Sequence, residues 1–400
     1  MDKIDELLTR RVEKIYPSKK ALEKVLRSGK KLRLYQGFDP STPNLHIGHL
    51  VGLLKLAEFQ RLGHEVIFLI GDFTGMIGDP TGKIEGARPQ LTRKKVLKNA
   101  KTYKDQAGKI LSFSGKNPVK VKYNSQWLSK LSVAKVAQLM HLVTYAQLIE
   151  RNMFQERIKK GKDIYLNEFF YPLLQAYDSV HMGVDLEIGG SDQLFNMMVG
   201  RHLMKKLNGR EKFVLTTKLL VDPQGNKIGK TEGNVINIAQ PPTKFYSQMM
   251  SLPDNSILPC FELITNVLLA KIKEIEKELK AGENPMIYKK MLAFELTKML
   301  NNEKVAVQAQ KEFEKVFQKR KIPSQIPEIK IRAGEWNIVD LLVRTRLCSS
   351  KSEAKRLIKQ GAVEIDNRTL HATRYTLHAK DGITVRVGKR KFVRIRVNSS

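Results

Sequence analysis

Two histidines one helical turn apart, His46 and His49, flank Gly48 at the end of the run Gly37-Phe38-Asp39-Pro40-Ser41-Thr42-Pro43-Asn44-Leu45-His46-Ile47-Gly48-His49. At a helix start, where unpaired N–H groups and the positive dipole end also point outward, two imidazoles can hold polyphosphate oxygens. Gly48 would let a flat ring or a ribose pack directly on the helix. The plainer alternative is a pair of capping or surface residues, so a second group has to decide. Far along the chain, Lys227-Ile228-Gly229-Lys230-Thr231 offers two ammonium groups and a hydroxyl, as an anion-binding loop or as a lysine-bearing β-turn. Between the two runs, Tyr171, Gln175 and Asp178 fall at i, i+4 and i+7. That spacing makes a polar stripe on one face of a largely apolar helix. Gly189-Gly190-Ser191-Asp192-Gln193 is placed so that backbone N–H groups and a carboxylate can face a ribose.

The elements that position these residues are legible from apolar patterning. Leu32 to Phe38 reads as a strand, Leu45 to Leu62 as a helix ended by Gly63, and Val66 to Gly71 as a strand buried on both faces. Thr92 to about Tyr165 is Lys-rich and reads as an insertion whose elements the pattern does not place. A helix follows at Glu168 to Ser179, a strand at Asp185 to Ile188, a helix at Asp192 to Leu207 and a strand at Phe213 to Leu220. This alternation predicts an α/β catalytic domain with a Rossmann-like doubly wound parallel sheet over residues 1–232. Helical patterning fills 233–320, with amphipathic runs at Val267 to Leu279 and Tyr288 to Leu300. Pro323 and Pro327 mark a linker over 321–335. Residues 336–400 read as a small α+β domain. It has a helix at Asn337 to Arg346, a second opened by a Ser350-to-Glu353 capping box, and strands at Ala362 to Ile365, Ile383 to Val387 and Phe392 to Val397.

The chain carries 71 Lys plus Arg against 40 Asp plus Glu, a formal charge of +31, which points to a polyanionic partner or to a general Lys bias. From Ile331 onward the balance is 16 against 6, about double the average charge density, which predicts electrostatic RNA binding. Cys260 and Cys348 are far apart and form no CxxC, so neither a disulfide framework nor a zinc site is expected, and metal-ligating residues are expected to be none. No apolar signal core opens the chain and no stretch approaches a membrane span, so the expected location is the cytoplasm, away from membranes. Gly78-Asp79-Pro80-Thr81-Gly82-Lys83 is not a Walker-type loop: Ile77 stands where its first Gly belongs, and Ile84 where Ser or Thr would bind magnesium. There is no G-x-G-x-x-G run.

His46-Ile47-Gly48-His49 resembles the first signature of the class I aminoacyl-tRNA synthetases, and Lys227 to Thr231 is similar to their mobile Lys-Met-Ser-Lys-Ser loop. The Lys-Phe-Gly-Lys-Thr form of that loop, which differs here only at Ile228, belongs to bacterial tyrosyl-tRNA synthetases. The resemblance implies activation of tyrosine by ATP with Mg2+, transfer to tRNA(Tyr), and a homodimer. It implies that His46, His49, Lys227, Lys230 and Thr231 are catalytic, and that Gly37, Asp39, Ser41, Gly48, Gly190 and Asp192, with the two histidines and Lys230, bind ATP. Tyr171, Gln175 and Asp79 would hold the amino group of tyrosine, Tyr35 and Asp178 its phenolic hydroxyl, and Gln193 the tyrosyl moiety. Leu194-Phe195 in place of Trp-Gly, and Glu187 in place of Gln, look like a second bacterial subgroup. The C-terminal unit resembles the S4 domain, with Arg346, Lys351, Lys355 and Arg356 as candidate phosphate contacts or as a solvated charged face. Two alternatives share these features: a non-catalytic RNA-binding protein of synthetase descent, and the sister tryptophanyl enzyme.

Overall fold

The computed structural model describes residues 2–81, 90–228, 230–231, 234–315, 327–366, 368–388 and 391–397. The chain divides into two compact units, 1–310 and 311–400. The first is built on six strands: β1 (Val12–Tyr16), β2 (Arg33–Phe38), β3 (Glu65–Ile70), β4 (Lys120–Tyr123), β5 (Leu186–Gly190) and β6 (Phe213–Thr217). Their order is β1-β6-β5-β2-β3-β4, with β1 antiparallel to β6 and every other pair parallel. From β2 the chain winds outward through β3 to β4, and from β5 outward to β6. The order therefore reverses between β2 and β5, and a doubly wound sheet binds ligands at the carboxyl ends of the strands that flank such a reversal.

The central strands form for the reason their sequences suggest. β3 is buried at every residue but Glu65, as a parallel strand covered on both faces must be. The edges are different. β1 (Val-Glu-Lys-Ile-Tyr) and β4 (Lys-Val-Lys-Tyr) each keep a polar, partly exposed side, and neither is marked by apolar patterning. β4 lies inside the Lys-rich insertion, pairs with β3 from Ile67↔Lys120 to Ile70↔Tyr123, and delivers Asn124 and Trp127 behind its carboxyl end.

The helix Ile47–Arg61 joins β2 to β3, and Asn167–Met182 leads into β5. Helices at Pro242–Met250, Ile257–Ile264, Leu269–Lys280, Pro285–Leu300 and Glu303–Phe313 follow the sheet. Ile257–Ile264 is tied back to the sheet's first segment by Arg10 and Arg11, whose guanidinium groups donate to the carbonyls of Phe261, Glu262, Leu263 and Thr265. Arg11 also meets Glu58, which Lys55 contacts at 2.5 Å from within the helix Ile47–Arg61. Of the expected linker, 321–326 lie outside the described residues, but the rest is not a linker: Glu328–Ile331 is a strand paired with the last strand of the chain, and Gly334–Asn337 begins another, because alternating apolar residues here find a sheet to join in spite of Pro327. Among the described residues, no helix is long and apolar enough to cross a membrane.

The second unit holds the two expected helices, Ile338–Arg344 and Lys351–Lys359, and more strands than its sequence announces. Numbering on from the two short strands β7 (Lys230–Thr231) and β8 (Asn234–Val235) of the first unit, they are β9 (Glu328–Ile331), β10 (Gly334–Asn337), β11 (Val363–Ile365), β12 (Arg368–Leu370), β13 (Thr376–Ala379), β14 (Thr384–Val387) and β15 (Lys391–Val397). A five-stranded sheet β12-β11-β14-β15-β9 and a ribbon β10-β13 enclose a core of Ile338, Leu341, Leu342, Ala354, Ile358, Val363, Val385 and Ile395. The capping box takes an altered form. Ser350 Oγ accepts from Glu353 N, but the Glu353 carboxylate reaches Ser349 rather than the cap residue.

Candidate active site

The helix Ile47–Arg61 begins with His46 as its cap. His46 Nδ1 accepts from Gly48 N at 3.1 Å, and the His46 amide donates to His49 Nδ1 at 3.0 Å. The rings lie 3.9 Å apart between centroids. Because each Nδ1 is an acceptor, the ring proton of each belongs on Nε2. The first-turn amides are not the open anion site that the sequence suggests. Ile47 N donates to Ile236 O, Gly48 N to His46 Nδ1 and His49 N to His46 O, which leaves the imidazoles as the groups to meet a ligand. Gly48 likewise gives its open space to His46, whose ring would sit 3.0 Å from a Cβ there.

The segment just beyond the lysine run meets this helix through backbone bonds. Ile47 N reaches Ile236 O and Ile238 N reaches Leu45 O, so the strand leaving the run pairs with the chain entering the helix. Lys227 faces Asp192 at 3.4 Å. Lys230 and Thr231 lie in β7, paired with β8, and their side chains, like Gly229 and the Gly82-Lys83 pair, fall outside the described residues.

One cavity of about 390 Å³ opens at the carboxyl ends of β2 and β5. Its wall includes Tyr35, Gly37, Asp39, Ser41, His46, Gly48, His49, Asp79, Tyr171, Gln175, Asp178, Gly190, Asp192, Gln193 and Lys227. The polar stripe of Asn167–Met182 faces into it, and each member has a partner on another element. Tyr171 donates to Asp39 Oδ2 at 2.8 Å, and Thr74 to Asp39 Oδ1 at 2.7 Å. Asp39 is thus bound to the Tyr171 side of the cavity, beside Asp79, which accepts from Gln193 at 2.7 Å. Gln175 donates to Glu187 at 3.1 Å. Asp178, 2% exposed, accepts from Trp127 Nε1 at 2.8 Å and from Asn124 Nδ2 at 3.2 Å.

Burial dominates the electrostatics. It pushes the Asp178 carboxyl well above the usual carboxylate range; the Trp127 and Asn124 donors oppose it, and the charges of Glu187 and Asp39 add to it. Tyr35 is raised by burial and then by Glu187 and Asp178, and Tyr171 by burial and then by Asp39 and Asp79. Beneath Tyr35 lies a group that sequence reasoning did not single out. Lys212, fully buried, pairs with Glu187 and with Ser179, and Ser179 meets Tyr35 Oη at 2.8 Å. Asn124 and Trp127 were missed as well. Trp127, one of the chain's two tryptophans and set within a polar insertion, was the available signal; Ser179 and Lys212 carried none.

Residues 27–318 match the family model described as tRNA synthetases class I (W and Y), and 318–395 match the Tyrosine--tRNA ligase SYY-like C-terminal domain. The Tyrosine--tRNA ligase of Thermotoga maritima is 43% identical over 392 residues, covering 98% of this chain and 96% of that one. That of Aquifex aeolicus is 40% identical over 375 residues, covering 94% of each. Among solved structures, the fold is similar to a C-terminally truncated Aspergillus nidulans mitochondrial tyrosyl-tRNA synthetase, with TM-score 0.66 at 21% identity over 79% of this chain and 94% of that one. It is also similar to the Archaeoglobus fulgidus tyrosyl-tRNA synthetase, with TM-score 0.60 at 23% identity over 77% of this chain and 98% of that one. By its catalytic unit, its C-terminal unit and its near full-length relatives, the chain belongs to the tyrosine--tRNA ligases of the class I tRNA synthetases.

Proposed function

We propose that the cavity between β2 and β5 is where this chain joins tyrosine to ATP before passing it to tRNA(Tyr). The observation that carries this is convergence. The histidine helix, the strand leaving the lysine run and a buried carboxylate deep in the wall all border one space. The tyrosine carboxylate attacks the α-phosphate, pyrophosphate leaves, and tyrosyl-adenylate stays bound; a ribose hydroxyl at the 3′ end of tRNA then takes the tyrosyl group. No protein nucleophile takes part. The residues act by placing charge where the leaving pyrophosphate develops it. His46 and His49 serve from one side and Lys227, Lys230 and Thr231 from the other. Gly37, Asp39, Ser41, Gly48, Gly190 and Asp192 form the ATP side.

Tyr171, Gln175 and Asp79 hold the substrate ammonium, Gln193 braces the tyrosyl moiety, and Tyr35 with Asp178 takes the phenol. Asp39 also supports the amino end through Tyr171. Magnesium enters as the salt of ATP, held by phosphate oxygens. The helices of 233–320 form an anticodon-side domain, and 336–400 binds RNA through Arg346, Lys351, Lys355 and Arg356. Cytoplasmic location and a homodimer complete the reading. Large apolar side chains exposed on the insertion, Val133, Met140, Tyr145, Ile158, Tyr165 and Leu166, suit a second copy of the chain. Sedimentation as a monomer at micromolar concentration would remove the dimer from this reading.

The test is ATP–pyrophosphate exchange with each of the twenty amino acids. Tyrosine alone should support it at full rate, and Asp178→Ala should lose discrimination against phenylalanine. Exchange with tryptophan as the preferred substrate, or with none, overturns the proposal.

A further inference from the structure

In and behind the cavity wall, five side chains form a connected set of hydrogen bonds. Lys212, just before β6, reaches both Glu187 on β5 and Ser179 on the helix Asn167–Met182. Ser179 Oγ lies 3.2 Å from Glu187 Oε2 and 2.8 Å from Tyr35 Oη, and Glu187 Oε1 accepts from Gln175 Nε2 at 3.1 Å. Lys212, Glu187, Ser179 and Tyr35 are all essentially out of solvent, and Gly200 makes the space: a Cβ there would fall 2.4 Å from the ammonium nitrogen.

The chemistry of the donors fixes every proton in this set. An ammonium only donates, so Ser179 accepts from Lys212. A carboxylate only accepts, so the single Ser179 proton goes to Glu187. The remaining bond, between Ser179 and Tyr35, must then have Tyr35 as donor. The proton of Tyr35 is thereby committed behind the wall, and its oxygen can only accept from the cavity it lines. The same carboxylate settles Gln175. Its amide NH2 must face Glu187, which leaves Oε1 as the other end, and that oxygen is buried without a partner.

We propose that the Lys212–Glu187 pair, acting through Ser179, is a positioning unit that makes both Tyr35 and Gln175 hydrogen-bond acceptors toward the substrate. Tyrosine then binds by donating at both ends, its one phenol proton to Tyr35 and its ammonium toward Gln175. An isostere without a para donor is rejected because buried acceptors stay unpaired. The inference rests on the assignment of Tyr35 and Gln175 to tyrosine made above and goes beyond it: Ser179, Glu187 and Lys212 need not touch the substrate and act through residues that do.

The experiment compares tyrosine with 4-fluorophenylalanine in ATP–pyrophosphate exchange, using the full chain and the variants Tyr35→Phe, Ser179→Ala and Lys212→Met. Ser179→Ala frees the Tyr35 proton to turn into the cavity while leaving the ion pair in place. It should raise the tyrosine KM about tenfold with kcat changed less than about threefold, and lower the preference for tyrosine over 4-fluorophenylalanine by about tenfold or more. Lys212→Met should move the same two quantities in the same directions. If it does not fold, Ser179→Ala carries the test alone. Equal effects on both substrates, or none, in Ser179→Ala overturn the positioning unit when Tyr35→Phe does alter the preference. A preference unaltered in Tyr35→Phe itself instead overturns the pocket assignment on which the inference stands.

Discussion

His46 uses its two ring nitrogens for different purposes. Nδ1 closes the first turn of the helix by accepting from Gly48, and Nε2 carries the ring proton of a residue that lines the cavity. The two roles separate by substitution. Asparagine is a good cap whose side-chain oxygen can replace Nδ1, whereas alanine caps nothing. His46→Asn should lower kcat for exchange about 10²-fold with stability within about 0.5 kcal/mol of the parent; His46→Ala should lose the same activity and about 1 kcal/mol more, read by denaturant unfolding. Equal stability losses in both would refute the division. Asp178 poses the converse case, in which function costs stability. A carboxyl whose folded pKa lies above its unfolded value stabilises the fold below the unfolded value, and loses that contribution as pH rises through the folded one. Asp178→Asn cannot titrate, so its melting temperature relative to the parent should climb as the pH rises above about 4, while selectivity for tyrosine over phenylalanine falls about 10²-fold or more. A difference that stays flat with pH would show that burial does not strain this carboxyl.

Strands and helices bring these residues together through contacts that leave no room for a methyl group. Gly71 follows β3 where Asp39 follows β2, and a Cβ on Gly71 would fall 1.9 Å from Asp39 Oδ1 and 2.4 Å from Thr74 Oγ1. Gly71→Ala must push Asp39 away from Tyr171. The tyrosine KM should then rise about tenfold, with a stability loss of about 1–3 kcal/mol; an unchanged KM would mean that Asp39 does not support the amino end. The elements themselves were readable wherever one physical cause dominated. The apolar β3 and the stripe of Tyr171, Gln175 and Asp178 each follow from burial on one periodicity. Edge strands β1 and β4 escaped because an edge tolerates alternate lysines and glutamates, which look like any polar segment. Trp127, Asn124 and Lys212 escaped for another reason: each gains its meaning from a partner more than twenty residues away, and spacing carries no trace of it. The opening of the signature helix was misread in one respect, since nothing in the run shows that Ile236 would arrive to take the Ile47 amide.

At the scale of the whole chain, a charge of +31 becomes informative only where it is concentrated and exposed. Arg346, Lys351, Lys355 and Arg356 are all exposed on or beside the two helices of the C-terminal unit, but they are not equivalent. Lys351 is 2.7 Å from Asp340, so a phosphate would have to compete with a carboxylate for it. Arg346 sits at φ 58, a left-handed conformation that strains a residue with a Cβ. Strain of that kind separates a binding cation from a structural one. Arg346→Gly should leave the unit as stable or more so, since glycine relieves the backbone, yet weaken tRNA binding. If Arg346, Lys355 and Arg356 each neutralise a phosphate, replacing any one should flatten the dependence of log KM for tRNA on log salt by about 0.7–0.9, with Lys351→Ala flattening it less. ATP–pyrophosphate exchange should be untouched in all four, because it needs no RNA. A salt dependence that survives removal of all four cations would place the RNA on another face of the molecule.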